Sequence, residues 1–284
     1  MYKILNKKTL AENIIMFEVK APMVAKSAKP GQFVIVRIDE KGERIPLTIC
    51  DYDKDLGTVT IVFQVVGAST KKMSKLSEGE FLLDFAGPLG NPSEFVSLNT
   101  DELKKKKFLF VAGGVGTAPV YPQVKYLREK GIDCDVVIGT RNKDLVILKD
   151  EIEALGCGLY ICTDDGSLGL KGRVTDFMKK LFDEGNRYDE VVAIGPMIMM
   201  KFVCLLTKEY NIKTTVSLNS IMVDGTGMCG ACRVTVGGQT KFTCTDGPEF
   251  DGHLVDFDEA INRQNMFKDE EVRRLHHSRE CSCF

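Results

Sequence analysis

Through the first third of the chain, apolar residues fall in short runs broken by glycine, proline and charged residues. Ile14–Val19, Gln32–Ile38, Thr58–Val66 and Phe81–Asp84 read as strands, with Pro22, Pro30-Gly31, Gly42 and Gly57 as turns between them. That spacing predicts an all-β unit from Ile4 to about Phe85. The middle third changes character. Phe108–Ala112 is a continuous apolar run, as expected of a strand buried on both faces, and a helical pattern through Val124 and Leu127 follows it. Asp135–Gly139, Gly158–Cys162 and Glu190–Ile194 then alternate with helical stretches, which predicts a mainly parallel sheet ending at Val216–Leu218. In the last third, Val234 and Val236 alternate, Gly237-Gly238 turns, and Thr240–Thr243 returns, the signature of a hairpin. Asp256 and Glu259 form a capping box for a helix through Ile261, Met266 and Phe267. The expected architecture is a β-barrel over 1–100, an α/β domain over 101–222 and a third unit over 223–284.

Composition narrows the class without naming a chemistry. A chain of 284 residues with 44% hydrophobic and 27% charged residues is ordinary for a globular protein. Its net charge of −2 gives no reason to expect nucleic acid or an anionic membrane as partner. No apolar run approaches the roughly 20 residues of a membrane span, and the N-terminal residues lack the apolar core of a signal peptide, so a cytoplasmic location is expected. Ten cysteines in such a chain argue for metal binding rather than a disulfide framework. Five of them, Cys50, Cys134, Cys157, Cys162 and Cys204, read as small buried hydrophobes. Lys104–Lys107 reads as a solvated connection with no binding role.

The densest chemistry lies in Asp224–Cys244. Cys229, Cys232 and Cys244 are spaced C-x2-C-x11-C, and the plant-type [2Fe–2S] pattern is C-x4-C-x2-C followed by a distant cysteine. Counting back five residues from Cys229, where that pattern places its first ligand, lands on Asp224. Gly225, Gly227 and Gly230 allow backbone N–H groups to crowd close to bridging sulfides. The hairpin brings Cys232 and Cys244 side by side. A zinc site, a redox CxxC pair and buried free thiols are the competing readings. Zinc more usually presents a second CxxC or a spaced pair of histidines, and neither occurs here. A turn-shaping Asp224, with a remote ligand such as Cys204, is the alternative at the fourth position. Cys281 and Cys283 are expected to be uncommitted.

Two barrel stretches also carry candidate chemistry. In Arg44-Ile-Pro-Leu-Thr48-Ile, an arginine can pair with a pyrophosphate and a threonine hydroxyl can bond the polar edge of a flavin ring. Val65 leads into Gly67-Ala-Ser69-Thr70, a turn able to offer N–H groups and hydroxyls to phosphate. In the α/β part, Gly113-Gly114-Val-Gly116-Thr117-Ala-Pro joins a strand to a helix, the arrangement that points a helix N-terminus at a diphosphate. Pro119 replaces the third glycine of the usual fingerprint. Asp164-Asp165-Gly166 and Gly195-Pro196-Met197 each follow a strand, so both lie at the C-terminal edge of the sheet, where ligands bind.

The order of these motifs resembles the ferredoxin–NADP reductase superfamily. In the branch of the dihydroorotate dehydrogenase electron-transfer subunit, the barrel motif reads Arg-Arg-Pro-x-Ser; here Ile45 stands at the second arginine, so Arg44, Pro46 and Thr48 carry over, with Leu47 between them. Many relatives have Cys-Gly-Pro where this chain has Ile194-Gly195-Pro196. Within the branch, Glu43–Ile49 and the aspartate at the first cluster position look most like small subunits of NADH-dependent reduced-ferredoxin:NADP+ oxidoreductases, also called sulfide dehydrogenase small subunits. The resemblance implies FAD, a [2Fe–2S] cluster and NAD(H), the last favoured over NADP(H) because Asp164 and Asp165 suit a ribose hydroxyl better than a 2′-phosphate. It implies hydride transfer by juxtaposition of flavin and nicotinamide, with no catalytic acid or base. It also implies a larger flavoprotein partner similar to the glutamate synthase small chain, carrying NADP(H), FAD and [4Fe–4S] clusters, with ferredoxin reached through it. The competing functions are the electron-transfer subunit of a dihydroorotate dehydrogenase and a non-enzymatic iron–sulfur sensing module.

Overall fold

The computed structural model describes residues 1–280, and side chains as far as Leu275. Cys281 and Cys283 lie outside the described residues. Seven strands, β1 (Tyr2–Ala11), β2 (Ile14–Lys20), β3 (Phe33–Arg37), β4 (Ile45–Asp53), β5 (Thr58–Gln64), β6 (Phe81–Leu82) and β7 (Asp84–Leu89), form an antiparallel sheet in the order β6-β1-β2-β5-β4-β3-β7. β6 and β7 stand at opposite edges, yet only Leu83 separates them, so the sheet curls nearly into a closed barrel. Its inside is apolar, with Phe17 and Phe63 meeting edge to face at 5.1 Å. Two short helices, α1 (Pro22–Ser27) and α2 (Ala68–Met73), ride on the connections.

Three of the expected barrel strands form within a residue or two of the predicted limits. The fourth, Phe81–Asp84, is divided at Leu83 between the two edges. β1 and β4 have no counterpart among the expected strands. Most of β1 faces outward with polar residues, and Pro46 sits inside β4 opposite Ile35, so neither segment shows a clean alternation of apolar and polar positions.

The second sheet has the order β11-β10-β9-β8-β12-β13-β16. Its strands are β8 (Phe108–Gly113), β9 (Cys134–Thr140), β10 (Gly158–Thr163), β11 (Leu170–Lys171), β12 (Glu190–Ile194) and β13 (Lys213–Ser217), all parallel, with β16 (Glu249–Asp251) antiparallel at the edge. β8 and β12 are buried along their whole length, which is why they read as unbroken apolar runs. Helices α3 (Thr100–Leu103), α4 (Thr117–Glu129), α5 (Lys149–Ala154), α6 (Val174–Asp183) and α7 (Met197–Glu209) connect them. The tail supplies β14 (Arg233–Val236), β15 (Gln239–Phe242), α8 (Thr243–Asp246), β16, α9 (Phe257–Gln264) and α10 (Lys268–Glu280).

Four sequence expectations are corrected here. The sheet does not end with Val216–Leu218, because the tail returns and β16 pairs Glu249 with Ser217. The helix at Asp256 stops at Gln264; Met266 and Phe267 fall between α9 and α10, about half exposed. The Asp256 carboxylate does accept from the Glu259 N–H at 2.9 Å. Lys106 and Lys107 are not merely solvated, since Lys107 reaches Asp135 at 3.0 Å and Lys106 approaches Glu190 at 3.8 Å. Of the five cysteines expected as buried hydrophobes, Cys50, Cys134, Cys162 and Cys204 are buried and Cys157 is half-buried.

Candidate functional site

A cavity of about 1160 Å³ lies between the barrel and the C-terminal edge of the parallel sheet. Ordinary small-molecule sites occupy roughly 300–1,000 Å³, so this one has room for more than a single ring system. The barrel wall is Phe33, Pro46, Leu47, Thr48 and Phe63, on β3, β4 and β5. The facing wall is the Gly113–Gly116 turn and Gly195-Pro196-Met197, which start α4 and α7. Asp164 lines the cavity further along the edge.

Glycine is required where these two loops meet. A Cβ on Gly116 would lie 2.2 Å from the Ile194 carbonyl oxygen, and one on Gly195 would lie 2.9 Å from the Gly113 Cα. Bare backbone on both loops is what lets a ligand lie close against two helix starts. Thr117 is buried, its hydroxyl donating to the Gly114 carbonyl at 2.9 Å, and so stiffens the turn.

Not every expected residue reaches the cavity. Asp165 and Gly166 lie past its rim, and Asp165 is occupied by Ser167, whose N–H and hydroxyl donate to it at 2.9 and 2.6 Å. Those bonds hold the Asp165 carboxyl below the usual carboxylate range. Val65, Gly67, Ser69 and Thr70 are also outside the lining. The Thr70 hydroxyl accepts from the N–H of Val66 and of Gly67, and the Ser69 hydroxyl donates to Glu43. Arg44 likewise turns away from the cavity: its Nε donates to the Val223 carbonyl at 2.9 Å and its Nη2 to the Asp224 carbonyl at 3.1 Å.

The cysteine region is built as its spacing predicted. Arg233–Val236 and Gln239–Phe242 pair as a hairpin, and Gly237 and Gly238 both take positive φ, as a two-residue turn of this hand demands. Cys232 and Cys244 come together with sulfurs 3.2 Å apart, and the Cys244 N–H points at the Cys232 sulfur at 3.4 Å. Burial and the neighbouring Cys232 push the Cys244 thiol up to about 12. Both cysteines are buried, and Cys229 is exposed on the preceding loop. The Asp224 carboxylate accepts from the N–H groups of Thr226 at 2.6 Å, Met228 at 3.0 Å and Cys229 at 3.0 Å. Those donors, Thr226 first, hold its carboxyl low, so Asp224 is an anion at neutral pH.

Among the described residues no three His, Cys, Asp or Glu side chains gather around one point. A two-iron cluster asks for something different, two protein ligands on each iron. Cys232 and Cys244, with sulfurs 3.2 Å apart, would hold one iron, and Asp224 and Cys229, on one loop with the Cys229 N–H bonded to Asp224, would hold the other. The donor set therefore fits a binuclear cluster better than a single ion. Cys204 is not near it: it packs in the sheet core beside Val216, and a Cβ on Gly252 would touch its sulfur.

The cavity and the cysteines are joined by two residues that the sequence did not single out. Phe33 and Met222 both line the cavity and both pack in the apolar cluster that contains Cys232 and Cys244. Phe33 lies in an expected strand, but nothing in its alternation marks it as functional. Met222 sits in a loop with no periodicity at all. Arg141 and Arg173, also missed, line the far end of the cavity.

Comparison with known proteins gives these features a context. Residues 219–256 match the iron–sulfur cluster binding domain of dihydroorotate dehydrogenase B, and residues 110–205 match the oxidoreductase NAD-binding domain. The chain is 61% identical over 272 residues to a protein of the adh 3′ region of Clostridium beijerinckii, covering 95% of this chain and 92% of that one. It is 48% identical over 269 residues to a dihydroorotate dehydrogenase B (NAD(+)) electron transfer subunit homolog of Thermotoga maritima, covering 95% and 92%. Among solved structures, a chain of the NADH-dependent reduced ferredoxin-NADP oxidoreductase superposes with a TM-score of 0.89 and 46% identity over 98% of this chain and 97% of that one.

Proposed function

This chain belongs to the family of dihydroorotate dehydrogenase B electron-transfer subunits and their homologues, and from that premise we propose that it is the NAD(H)-linked arm of an electron-bifurcating NADH/ferredoxin:NADP+ transhydrogenase. Its fold is that of the ferredoxin–NADP reductase superfamily, a barrel beside a parallel sheet with a C-terminal iron–sulfur unit. It is an NAD(H)-dependent iron–sulfur oxidoreductase subunit whose cofactors are FAD and an iron–sulfur cluster. Among the described residues no helix is long and apolar enough to cross a membrane. Our reading assigns 1–100 to the flavin, 101–222 to NAD(H) and 223–284 to a [2Fe–2S] cluster, in a cytoplasmic complex.

The observation that carries the reading is the shared packing of Phe33 and Met222. Both line the cavity, and both pack in the apolar cluster that holds Cys232 and Cys244. When bound, FAD supplies the exchange between two-electron hydride chemistry and the one-electron capacity of a cluster. The chain's own residues hold and align. Thr48 offers its hydroxyl to the ring edge, and Pro46 and Leu47 shape the wall beside it. The family resemblance assigns the flavin phosphates to Arg44, Val65 and the Gly67-Ser69-Thr70 turn, which stand outside the cavity lining, so the phosphates would extend past its rim. Gly113, Gly114, Gly116 and Thr117 seat the diphosphate of NAD(H). Asp164 takes the adenosine ribose, with Asp165 and Gly166 shaping the turn past the rim, and Gly195, Pro196 and Met197 back the nicotinamide. Asp224, Cys229, Cys232 and Cys244 ligate the iron. Apolar Phe33 and Met222 would exclude water between the cavity and the cysteines when the cofactors are bound, and no acid or base is needed for hydride transfer.

The partner in this reading is a larger flavoprotein similar to the glutamate synthase small chain, with NADP(H), FAD and [4Fe–4S] clusters, through which ferredoxin is reached. Likeness to the NADH-dependent reduced ferredoxin-NADP oxidoreductase supports it. The second reading, the electron-transfer subunit of a dihydroorotate dehydrogenase, is favoured by the Thermotoga maritima relative. Anaerobic purification of the native complex and identification of its second subunit separates the two. A flavoprotein that couples NADPH oxidation to the joint reduction of ferredoxin and NAD+, or runs that exchange in reverse, supports the transhydrogenase. A dihydroorotate-oxidising partner establishes the second reading. The isolated chain is expected to pass electrons from NADH to artificial acceptors but not to ferredoxin, and ferredoxin reduction by the chain alone overturns the proposal.

A further inference from the structure

A chain of hydroxyl groups runs from the cavity wall to the paired cysteines. Thr243 is fully buried at the start of α8, one residue before Cys244. Its N–H donates to the Cys232 carbonyl at 3.1 Å, and its hydroxyl donates to the same oxygen at 3.0 Å. A carbonyl oxygen has two lone pairs, so this one residue satisfies it completely. The Ser220 hydroxyl stands 2.8 Å from the Thr243 hydroxyl oxygen. The single Thr243 hydroxyl hydrogen is committed to a carbonyl, which can only accept, so Ser220 is the donor of that bond. The order of donation is therefore Ser220 to Thr243 to the Cys232 carbonyl, and Ser220 itself lines the cavity.

The two bonds from Thr243 fix the peptide that joins it to Cys244. The N–H of that peptide points at the Cys232 sulfur at 3.4 Å. Neighbouring bonds hold the same turn: the Phe242 N–H donates to Asp246 at 2.6 Å, and the Asn91 amide donates to the Thr245 carbonyl at 3.0 Å. An amide held on a thiolate sulfur draws electron density from it, which favours the reduced state of iron bound to that sulfur. The Thr243 N–H alone would close the turn, so its hydroxyl is free to serve the aim of the next amide.

We propose that Thr243, backed by Ser220, is a positioning residue for electron transfer: it holds the Cys244 N–H on the Cys232 sulfur and so raises the reduction potential of the cluster. Ser220 acts through Thr243, by fixing which way the threonine hydroxyl turns. The proposal rests on the reading of Cys232 and Cys244 as iron ligands.

The test uses the full chain, purified anaerobically with FAD and cluster loaded. It reads the electron paramagnetic resonance of the reduced cluster at fixed applied potentials, a signal independent of turnover and distinct from a flavin radical. Thr243→Val removes the hydroxyl at nearly constant shape. Near the wild-type midpoint its reduced-to-oxidised ratio is expected to fall about three- to tenfold, tenfold being about 59 mV for one electron. Thr243→Ser keeps the hydroxyl and should restore the wild-type ratio. Ser220→Ala should lower the ratio by less, and Ser220→Ala combined with Thr243→Val should go no lower than Thr243→Val alone. An unchanged ratio in Thr243→Val, or a Thr243→Ser protein shifted as far as the valine one, overturns the inference. If Thr243→Val holds no cluster, Ser220→Ala carries the measurement, and an unchanged ratio there overturns it. A Cys232→Ala protein that keeps the wild-type cluster signal refutes the ligand reading itself, whatever the threonine variants show.

Discussion

Arg44 of the barrel donates to the carbonyl of Val223 at 2.9 Å, tying the start of β4 to the loop that carries the cluster residues. The neighbouring carbonyl of Asp224 takes a second bond from the same guanidinium. Hydrogen bonds from a charged group contribute roughly 1.5–3 kcal/mol when part-buried, enough to set the position of a glycine-rich loop. The motif resemblance assigns Arg44 to a flavin phosphate, and its remaining N–H groups are free for that. Arg44→Ala is therefore expected to lower iron and sulfide per chain at least twofold and to alter the electron paramagnetic resonance of the reduced cluster. Arg44→Lys, a point charge without a fork, should recover only part of the loss. Measuring iron and flavin on the same preparation separates the two roles; flavin lost with the cluster intact would confine Arg44 to the phosphate.

Gly116 supplies the second prediction. Its φ of −61° suits any residue, so strain is not the issue. A Cβ there would stand 2.2 Å from the Ile194 carbonyl oxygen, a backbone atom that cannot step aside. Gly116→Ala must push the α4 start away from β12, and Gly116→Val further. NADH binding should weaken by an order of magnitude or more, seen as slower flavin bleaching in stopped-flow at subsaturating NADH. FAD content should stay at the wild-type level, because the barrel wall is built from other strands.

The same two residues show what could be read from the chain alone. Gly116 was legible because a strand, a glycine turn and a helix are consecutive in sequence, so their joint meaning is local. The hairpin joining Cys232 to Cys244 was legible for the same reason. Arg44 was legible as a cation in a motif but not as a link to residues 223 and 224, since that contact depends on how the barrel docks on the tail. Met222 and Phe33 meet across the fold and leave no spacing signal. The return of the tail as β16 was hidden for a further reason: a three-residue strand with two acidic positions is too short and too polar to show a period.

Glu249 links stability to pH. Its carboxylate oxygen accepts from the Ser93 hydroxyl at 2.9 Å and the Gln123 amide at 2.9 Å, joining the segment after the barrel, helix α4 and the tail strand. The residue keeps some exposed surface, yet its carboxyl lies deep among protein atoms, and it is the carboxyl that titrates. Burial, reinforced by the nearby Glu190 and Glu94, pushes it up from 4.5 to about 7. Lys213, bonded to Glu94 and Glu190, faces the same group of carboxylates. An acid raised on folding stabilises the fold fully below its unfolded value, loses that contribution as pH rises through about 7, and changes nothing beyond. The thermal midpoint of the wild-type chain should therefore fall between pH 5 and pH 8, by an amount corresponding to at most about 3 kcal/mol. Glu249→Gln, permanently neutral, should remove most of that slope and hold the acid-side stability at pH 8. A parallel decline in the two proteins would assign the pH dependence to other groups. The buried Gln123 Oε1, which has no partner among the described residues, becomes an acceptor for the Glu249 proton once the amide turns over.

Asp224 carries the last prediction, because its geometry serves two roles at once. Three N–H donors, from Thr226, Met228 and Cys229, converge on the carboxylate and fold the loop around it. That is the work of a turn-shaping aspartate. The same bonds keep it ionised beside Cys229, at the position where the cluster pattern places its first ligand. The Asp224→Asn side chain is a poor iron ligand and keeps a single acceptor oxygen, which can serve the Met228 and Cys229 N–H groups or that of Thr226 but not both sets, so iron content is read beside the thermal midpoint of the same protein. If Asp224 ligates, the asparagine protein should hold a labile cluster with a changed visible spectrum, and Asp224→Ala should lose most of its iron. Asp224→Cys should keep a [2Fe–2S] cluster at a lower potential, because thiolate donates more electron density than carboxylate and favours the oxidised state. Cys204→Ala should leave iron content untouched, its sulfur being packed in the sheet core. An asparagine variant with wild-type spectrum and potential would restrict Asp224 to shaping the turn and send the search for the fourth ligand elsewhere.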